Sequence, residues 1–143
     1  IKTLYNTVSG KTIAFLGWAF KKDTNDTRES AAIYVADQLI EEQASITVYD
    51  PKVTATQMQA DVNNLNTRSK ADNSNYLKTE TDPYKALEGA HAIAVLTEWD
   101  AFKTFDWQRI YDNMQKPAFV FDGRNILNIN KLERIGFKFY SIG

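Results

Sequence analysis

The sequence predicts an α/β domain of three layers, with a mostly parallel sheet flanked by helices. Three observations predict it. Short, continuous apolar runs end in glycine, proline or charged turns, as strands buried on both faces do. Stretches with apolar residues at three-to-four spacing separate these runs, as crossover helices do. The chain has 143 residues, 43% of them hydrophobic and 24% charged, which suits one domain with a core of its own.

At the start, Ile1, Leu4, Tyr5 and Val8 keep the i, i+3, i+4, i+7 spacing of an amphipathic helix, and Gly10 is a C-terminal stop. No capping residue precedes them, so residues 1–10 read as the tail of a helix that begins upstream, or as a frayed start. Thr12-Ile13-Ala14-Phe15-Leu16 is the first strand. A charged connection follows it, and Asp26-x-x-Glu29 fits a capping box that opens a helix near Thr27. That helix, with Ala32, Ile33, Ala36, Leu39 and Ile40 on one face, should run to about Glu42. Ile46-Thr47-Val48-Tyr49 is the second strand, closed by Asp50-Pro51. Strand, helix and strand in this order imply a parallel pair with a right-handed crossover.

A helix is expected over residues 54–62. Residues 63–81 are rich in Asn, Ser, Thr and Lys without a clear period, and read as a mobile surface insertion. Asp82 caps a short helix with Pro83 at its first position. Ala92-Ile93-Ala94-Val95-Leu96 is the next strand, and a helix through Trp107, Ile110, Tyr111 and Met114 leads to Pro117. Ala118-Phe119-Val120-Phe121 is the fourth strand, a helix near residues 130–135 stops at Gly136, and residues 137–142 form the last strand.

Composition excludes several functions. A net charge of −1 argues against a nucleic-acid surface. The absence of cysteine removes disulfides, thiolate metal sites and a cysteine nucleophile from this chain. No apolar run approaches the ~20 residues of a membrane span, and no signal peptide is visible, so no membrane partner and a cytoplasmic location are expected.

Parallel strands place the connections at 18–28, 97–100 and 122–124 at one carboxyl edge, where open α/β sheets bind ligands. That edge would present Lys21, Lys22, Arg28 and Arg124 beside Trp18, Phe20 and Trp99. Cations suit phosphates, and aromatic faces suit a planar base, so a nucleotide-like ligand is expected. Structural readings stand beside these. Lys21 and Lys22 can pair with Asp23 and Asp26 in solvent, Arg124 can pair with Asp122, and Trp18 and Trp99 can be core residues. Asp50 is placed like a ribose-binding acid but lies too far from Gly17, where ~20 residues is usual. There is no G-x-G-x-x-G, and His91, the one histidine, opens a strand and reads as structural.

Gly17-Trp18-Ala19-Phe20-Lys21-Lys22-Asp23-Thr24-Asn25-Asp26-Thr27-Arg28-Glu29-Ser30 resembles the GFAFKKDTGDTRES signature of the UDP-glucose 6-dehydrogenases, in the UDP-glucose/GDP-mannose dehydrogenase family. Tyr49-Asp50-Pro51-Lys52, Leu96-Thr97-Glu98-Trp99-Asp100 and Lys116-Pro117-Ala118-Phe119-Val120-Phe121-Asp122-Gly123-Arg124-Asn125 extend the resemblance in order along nearly the whole chain. It is to the C-terminal, UDP-binding domain, and it implies a Rossmann-like fold. It makes residues 1–10 the end of an inter-domain connecting helix and residues 11–143 the UDP-sugar-binding domain.

The family oxidises UDP-glucose to UDP-glucuronate with two NAD⁺, as a homo-oligomer. The resemblance puts the catalytic residues and the main NAD site in an N-terminal domain outside this sequence. It implies that Phe20, Lys21 and Arg124 bind the substrate and that Arg28 reaches the cofactor. Two residues depart from the signature. Trp18 replaces Phe, bringing an indole N–H that needs a partner. Asn25 replaces Gly, tolerable if the turn needs positive φ. Alternatives are a GDP-mannose or UDP-N-acetyl-sugar dehydrogenase domain, or a nucleotide-binding regulatory or oligomerisation module. A receiver-like signalling domain would want acids after the first strand, where this chain has Gly17-Trp18.

Overall fold

The computed structural model describes residues 7–141. The chain forms β1 (Thr12–Leu16), α1 (Ala31–Glu41), β2 (Ser45–Tyr49), α2 (Ala55–Asn63), α3 (Lys70–Tyr76), β3 (Leu77–Thr79), α4 (Pro83–Leu87), β4 (Ala92–Val95), a 3₁₀ turn (Asp100–Thr104), α5 (Trp107–Asp112), β5 (Phe119–Asp122), α6 (Ile129–Ile135) and β6 (Lys138–Ser141). The six strands make one sheet in the order β3-β2-β1-β4-β5-β6. Every pairing is parallel, so the expected mostly parallel sheet is wholly so among the described strands.

This is the doubly wound order of dinucleotide-binding folds, with its switch point between β1 and β4. The chain runs from β1 out to β3 and then from β4 out to β6, and right-handed crossovers, the rule for parallel strands, put the helices of these two runs on opposite faces. The central strands are the most buried: Ala14, Phe15, Leu16, Ala92, Ile93 and Val95 are closed to solvent on both faces. Parallel register then fixes the site. Leu16 stands beside Tyr49 and Val95, and Val95 beside Asp122, so the loops leaving β1, β2, β4 and β5 emerge side by side.

The sequence misplaces some boundaries. Residues 1–6 lie outside the described residues, and residues 7–10 form a coil and turn rather than helix, with Gly10 at φ +76°. Val8 is nevertheless buried in the core. The first helix opens at Ala31 and not near Thr27. Its cap is Ser30, whose Oγ accepts from Ala32 N–H. Asp26 instead closes a local turn, accepting from the backbone and side chain of Arg28, and Glu29 sits at φ +63°, where no helix can start. The capping-box pattern is thus used by a loop.

The insertion at 63–81 is also more ordered than its composition suggests. It holds α3 and the edge strand β3. Arg68 anchors it, donating to the Asp37 carboxylate at 2.8 Å, the Asp37 carbonyl at 3.0 Å, Glu41 at 2.9 Å and Asn73 at 2.8 Å. Polar residues without a period hide this structure, because side-chain hydrogen bonds hold it rather than an apolar stripe.

Candidate functional site at the carboxyl edge of the sheet

The loop after β1 owes its path to two features. Gly17 has φ +101°, and a Cβ there would lie 2.4 Å from Cβ and from Oγ1 of Thr97; only glycine lets these loops meet. The loop is then tied down from its neighbours. Thr97 Oγ1 donates to the Ala19 carbonyl at 2.8 Å, and Ser30 Oγ donates to the Trp18 carbonyl at 2.7 Å.

Asp50, at the end of β2, is the buried hub. Its Oδ2 accepts from Trp18 N–H at 2.7 Å, Ala19 N–H at 3.0 Å and Trp99 Nε1 at 3.2 Å. Its Oδ1 accepts from Lys52 N–H at 2.9 Å and Val53 N–H at 3.1 Å. Five donors occupy the carboxylate, leaving no ready place for a ribose hydroxyl. Asp122 does the same for the loop after β5, accepting from the backbone N–H groups of Arg124, Ile126 and Leu127. Glu98 is the third carboxylate of the edge, on the loop after β4. Its Oε1 accepts from Lys22 N–H at 2.6 Å, and its Oε2 accepts from Arg124 Nε at 2.8 Å and from Arg124 Nη2. Burial would raise the Glu98 carboxyl, but the Arg124 guanidinium and the Lys22 N–H hold it below its ordinary value.

The sequence-expected residues therefore divide. Phe20, Lys21 and Arg124 are exposed at this edge, with Phe20 45% accessible. Glu98 brings the Lys22 backbone and Arg124 onto one carboxylate, so the loop carrying Phe20 and Lys21 meets Arg124. Arg28 is also exposed, and Asp26 grips it at 2.8 Å. The Arg28 guanidinium and backbone N–H hold the Asp26 carboxyl down at about 2. Lys22 faces Asp100 at 3.6 Å. Lys21 forms no ion pair among the described residues, although it contributes to the field that lowers Asp26.

The two tryptophans expected at this edge are not at the surface. Trp18 is buried and its Nε1 donates to Asp61 on α2 at 3.0 Å, which supplies the partner that its indole requires. Trp99 is buried against Asp50. Of the three aromatic faces expected at the edge, only Phe20 is available to a base. Asn25 is not at positive φ; in this loop Asp23 and Glu29 are. His91 is structural, its Nδ1 accepting from Thr12 N–H at 3.1 Å, with burial and then the charge of Lys11 pushing its pKa down. Among the described residues no cluster of His, Asp and Glu is arranged to hold a metal ion. None of their helices is long and apolar enough to cross a membrane.

Sequence reasoning weighed Asp50 and Asp122 for other roles, a ribose contact and a pair with Arg124, gave Glu98 none, and missed the support all three lend to the loops. The available signal was an acid at or shortly after the end of each of three buried strands, at Asp50, Glu98 and Asp122.

A family model described as the UDP-glucose/GDP-mannose dehydrogenase family, UDP binding domain, matches residues 14–129. The chain belongs to this family. The match to the UDP-binding domain runs from the middle of β1 through β5 and takes in the edge loops at 18–28, 97–100 and 122–124. The domain is 49% identical to UDP-glucose 6-dehydrogenase 4 of Arabidopsis thaliana and 50% identical to UDP-glucose 6-dehydrogenase 5 of Oryza sativa subsp. japonica, with the whole of this chain covered in each. The chain spans about a third, 32%, of the length of those relatives.

Solved structures agree on the fold. An NDP-N-acetyl-D-galactosaminuronic acid dehydrogenase from Methanosarcina mazei superposes with a TM-score of 0.76 at 23% identity, over 99% of this chain and 26% of that one. A UDP-glucose dehydrogenase from Pyrobaculum islandicum gives a TM-score of 0.64 at 26% identity, over 96% of this chain and 26% of that one.

Proposed function

We propose that this UDP-binding domain is the sugar-nucleotide-holding part of a UDP-glucose 6-dehydrogenase, which oxidises UDP-glucose to UDP-glucuronate with two NAD⁺. Phe20 packs on the nucleotide, and Lys21 and Arg124 contact its diphosphate. Holding the diphosphate fixes the sugar for reaction in the preceding domain, so the contribution of this chain is positioning. The observation that carries the reading is that Glu98 ties the loop bearing Lys21 to the loop bearing Arg124, two exposed cations at the edge where sheets of this class bind ligands. Near 50% identity to UDP-glucose enzymes favours this substrate over GDP-mannose or a UDP-N-acetyl-sugar.

The residues present fit NAD only in part. NAD would supply the hydride acceptor, and this chain offers it one exposed guanidinium, Arg28. Asp50, occupied by five donors, and buried Trp18 leave the crevice between β1 and β2 without a dinucleotide cradle. Arg28 reaches NAD held mainly by an N-terminal domain of the same enzyme, a cytoplasmic homo-oligomer.

Calorimetric titration of the chain with UDP tests the reading. UDP should bind, more weakly as salt rises, because exposed cation–phosphate pairs are screened over ~8–10 Å. Lys21→Ala and Arg124→Ala should each weaken binding about five- to tenfold, the loss of one part-exposed charge-assisted contact. With UDP-glucose and NAD⁺ the chain alone should form no NADH. No heat with millimolar UDP would contradict the reading. In the full-length enzyme, Arg28→Ala should raise the KM for NAD more than that for UDP-glucose; the reverse would put Arg28 on the sugar nucleotide instead.

A further inference from the structure

Among the described residues, Glu98 is the side chain whose hydrogen bonds reach both cation-bearing loops of the edge. Its Oε1 takes the Lys22 N–H at 2.6 Å and its Oε2 takes Nε and Nη2 of Arg124. We infer that Glu98 is the positioning residue of the diphosphate site: it sets the distance between the Phe20–Lys21–Lys22 segment and Arg124 and fixes which edge of the guanidinium faces the ligand. This rests on the UDP-binding reading above.

The geometry separates this role from ordinary surface pairing. Arg124 is held side-on, through Nε and one terminal nitrogen, so its Nη1 donors stay free to turn to a phosphate. The Lys22 backbone is held rather than its side chain, so the path of the chain at Lys21 is fixed while the Lys21 ammonium remains uncommitted. The Glu98 and Arg124 side chains are 24% and 35% accessible, which is too buried for a freely rotating pair and open enough for a ligand to reach the guanidinium. Asp122 fixes the other end of the same arrangement by accepting the Arg124 backbone N–H at 3.0 Å.

Two effects of opposite sign compete in this role. A carboxylate near a diphosphate repels it, and it neutralises Arg124. Without it, a long side chain and a loop must be ordered when the ligand binds. At a part-exposed site water and salt screen the repulsion, whereas the ordering cost is not screened, and it falls on Arg124 and on the loop at Lys22 together. Ordering should therefore dominate, and Glu98 should favour UDP binding despite its charge.

The test is a double-mutant cycle read by calorimetry, with a ligand-free NMR measurement beside it. The Glu98→Gln variant keeps the volume and loses the charge; its single carbonyl oxygen can serve Lys22 or Arg124 but not both in the present geometry. It should weaken UDP binding about fivefold in the native background and have no further effect in the Arg124→Ala background. In the ligand-free chain, the Arg124 Nε–H should exchange slowly with solvent, and Glu98→Gln should make it fast. Tighter or unchanged UDP binding by Glu98→Gln would overturn the inference, by showing that the carboxylate competes with phosphate or is idle. Equal weakening in both backgrounds would also overturn it, by showing a general loss of structure. Fast exchange of the Arg124 Nε–H in the unaltered chain would overturn it whether or not any variant folds. Slow exchange without any binding of UDP would instead remove the ligand reading, and the role of Glu98 with it, while leaving the clamp itself in place.

Discussion

At Gly17 the backbone runs at φ +101° and Thr97 occupies the space a Cβ would need. Gly17→Ala should therefore lower the unfolding free energy by about 3 kcal/mol or more, from strained backbone and overpacking together. Chemical denaturation measures it, and a loss below about 1 kcal/mol would mean that the β1 and β4 loops separate easily. Asp26 gives a second test at this scale. Its folded-state pKa, about 2, lies below the ordinary 3.8, so its pairing with Arg28 favours the folded state above the carboxylate range and is lost as pH falls toward about 2. An NMR titration of the Asp26 carboxyl carbon should find this low midpoint, and Arg28→Ala should return it toward 3.8. Asp26 would then hold the always-charged Arg28 guanidinium in place at neutral pH. A midpoint near the ordinary value in the unaltered chain would show that Arg28 is not held.

Among the elements, the unit formed by α3 and β3 has the most to show. It reaches the sheet through short β3 and reaches α1 through Arg68, whose side chain is 11% accessible against 18% for Asp37. Arg68→Ala would strip partners from the Asp37 carboxylate and from buried Asn73. It should cost about 2–3 kcal/mol, the scale of a hydrogen-bonded charge pair largely out of water. Hydrogen exchange should speed up in residues 68–79 first, with β1 and β4 still protected; uniform acceleration would mean that this unit is not separable. The same element shows where sequence reading stops. Apolar runs such as Ile13-Ala14-Phe15-Leu16 announce central strands because burial on both faces requires them. Strand β3 has three residues and one buried side chain, Leu77, which is too little pattern to see. The site divides in the same way. The residues proposed to hold the ligands, Phe20, Lys21, Arg28 and Arg124, are legible by residue type and family motif. The supporting roles of Asp50, Glu98 and Asp122 depend on donors from loops up to 76 residues away, as with Lys22 and Glu98, and on the strand order that brings them together.

Across the whole molecule, the topology is that of a dinucleotide fold, but the protein's own groups occupy the carboxyl edge at β2, β1 and β4. Asp50 holds backbone and indole donors, Trp18 packs inward, and Thr97 closes on Gly17. The proposed UDP site is the exposed rim: Phe20, Lys21 and Arg124, with Arg28 on the β1–α1 loop that carries Phe20 and Lys21. Mapping amide chemical shifts of the chain as UDP is added tests this most directly. The largest changes should fall at residues 20–22, 98 and 123–125, and they should diminish as salt is raised. Changes centred on the separate depression lined by Tyr49, Lys52, Met58 and Thr79, or no changes at millimolar UDP, would contradict a UDP site built from these three loops.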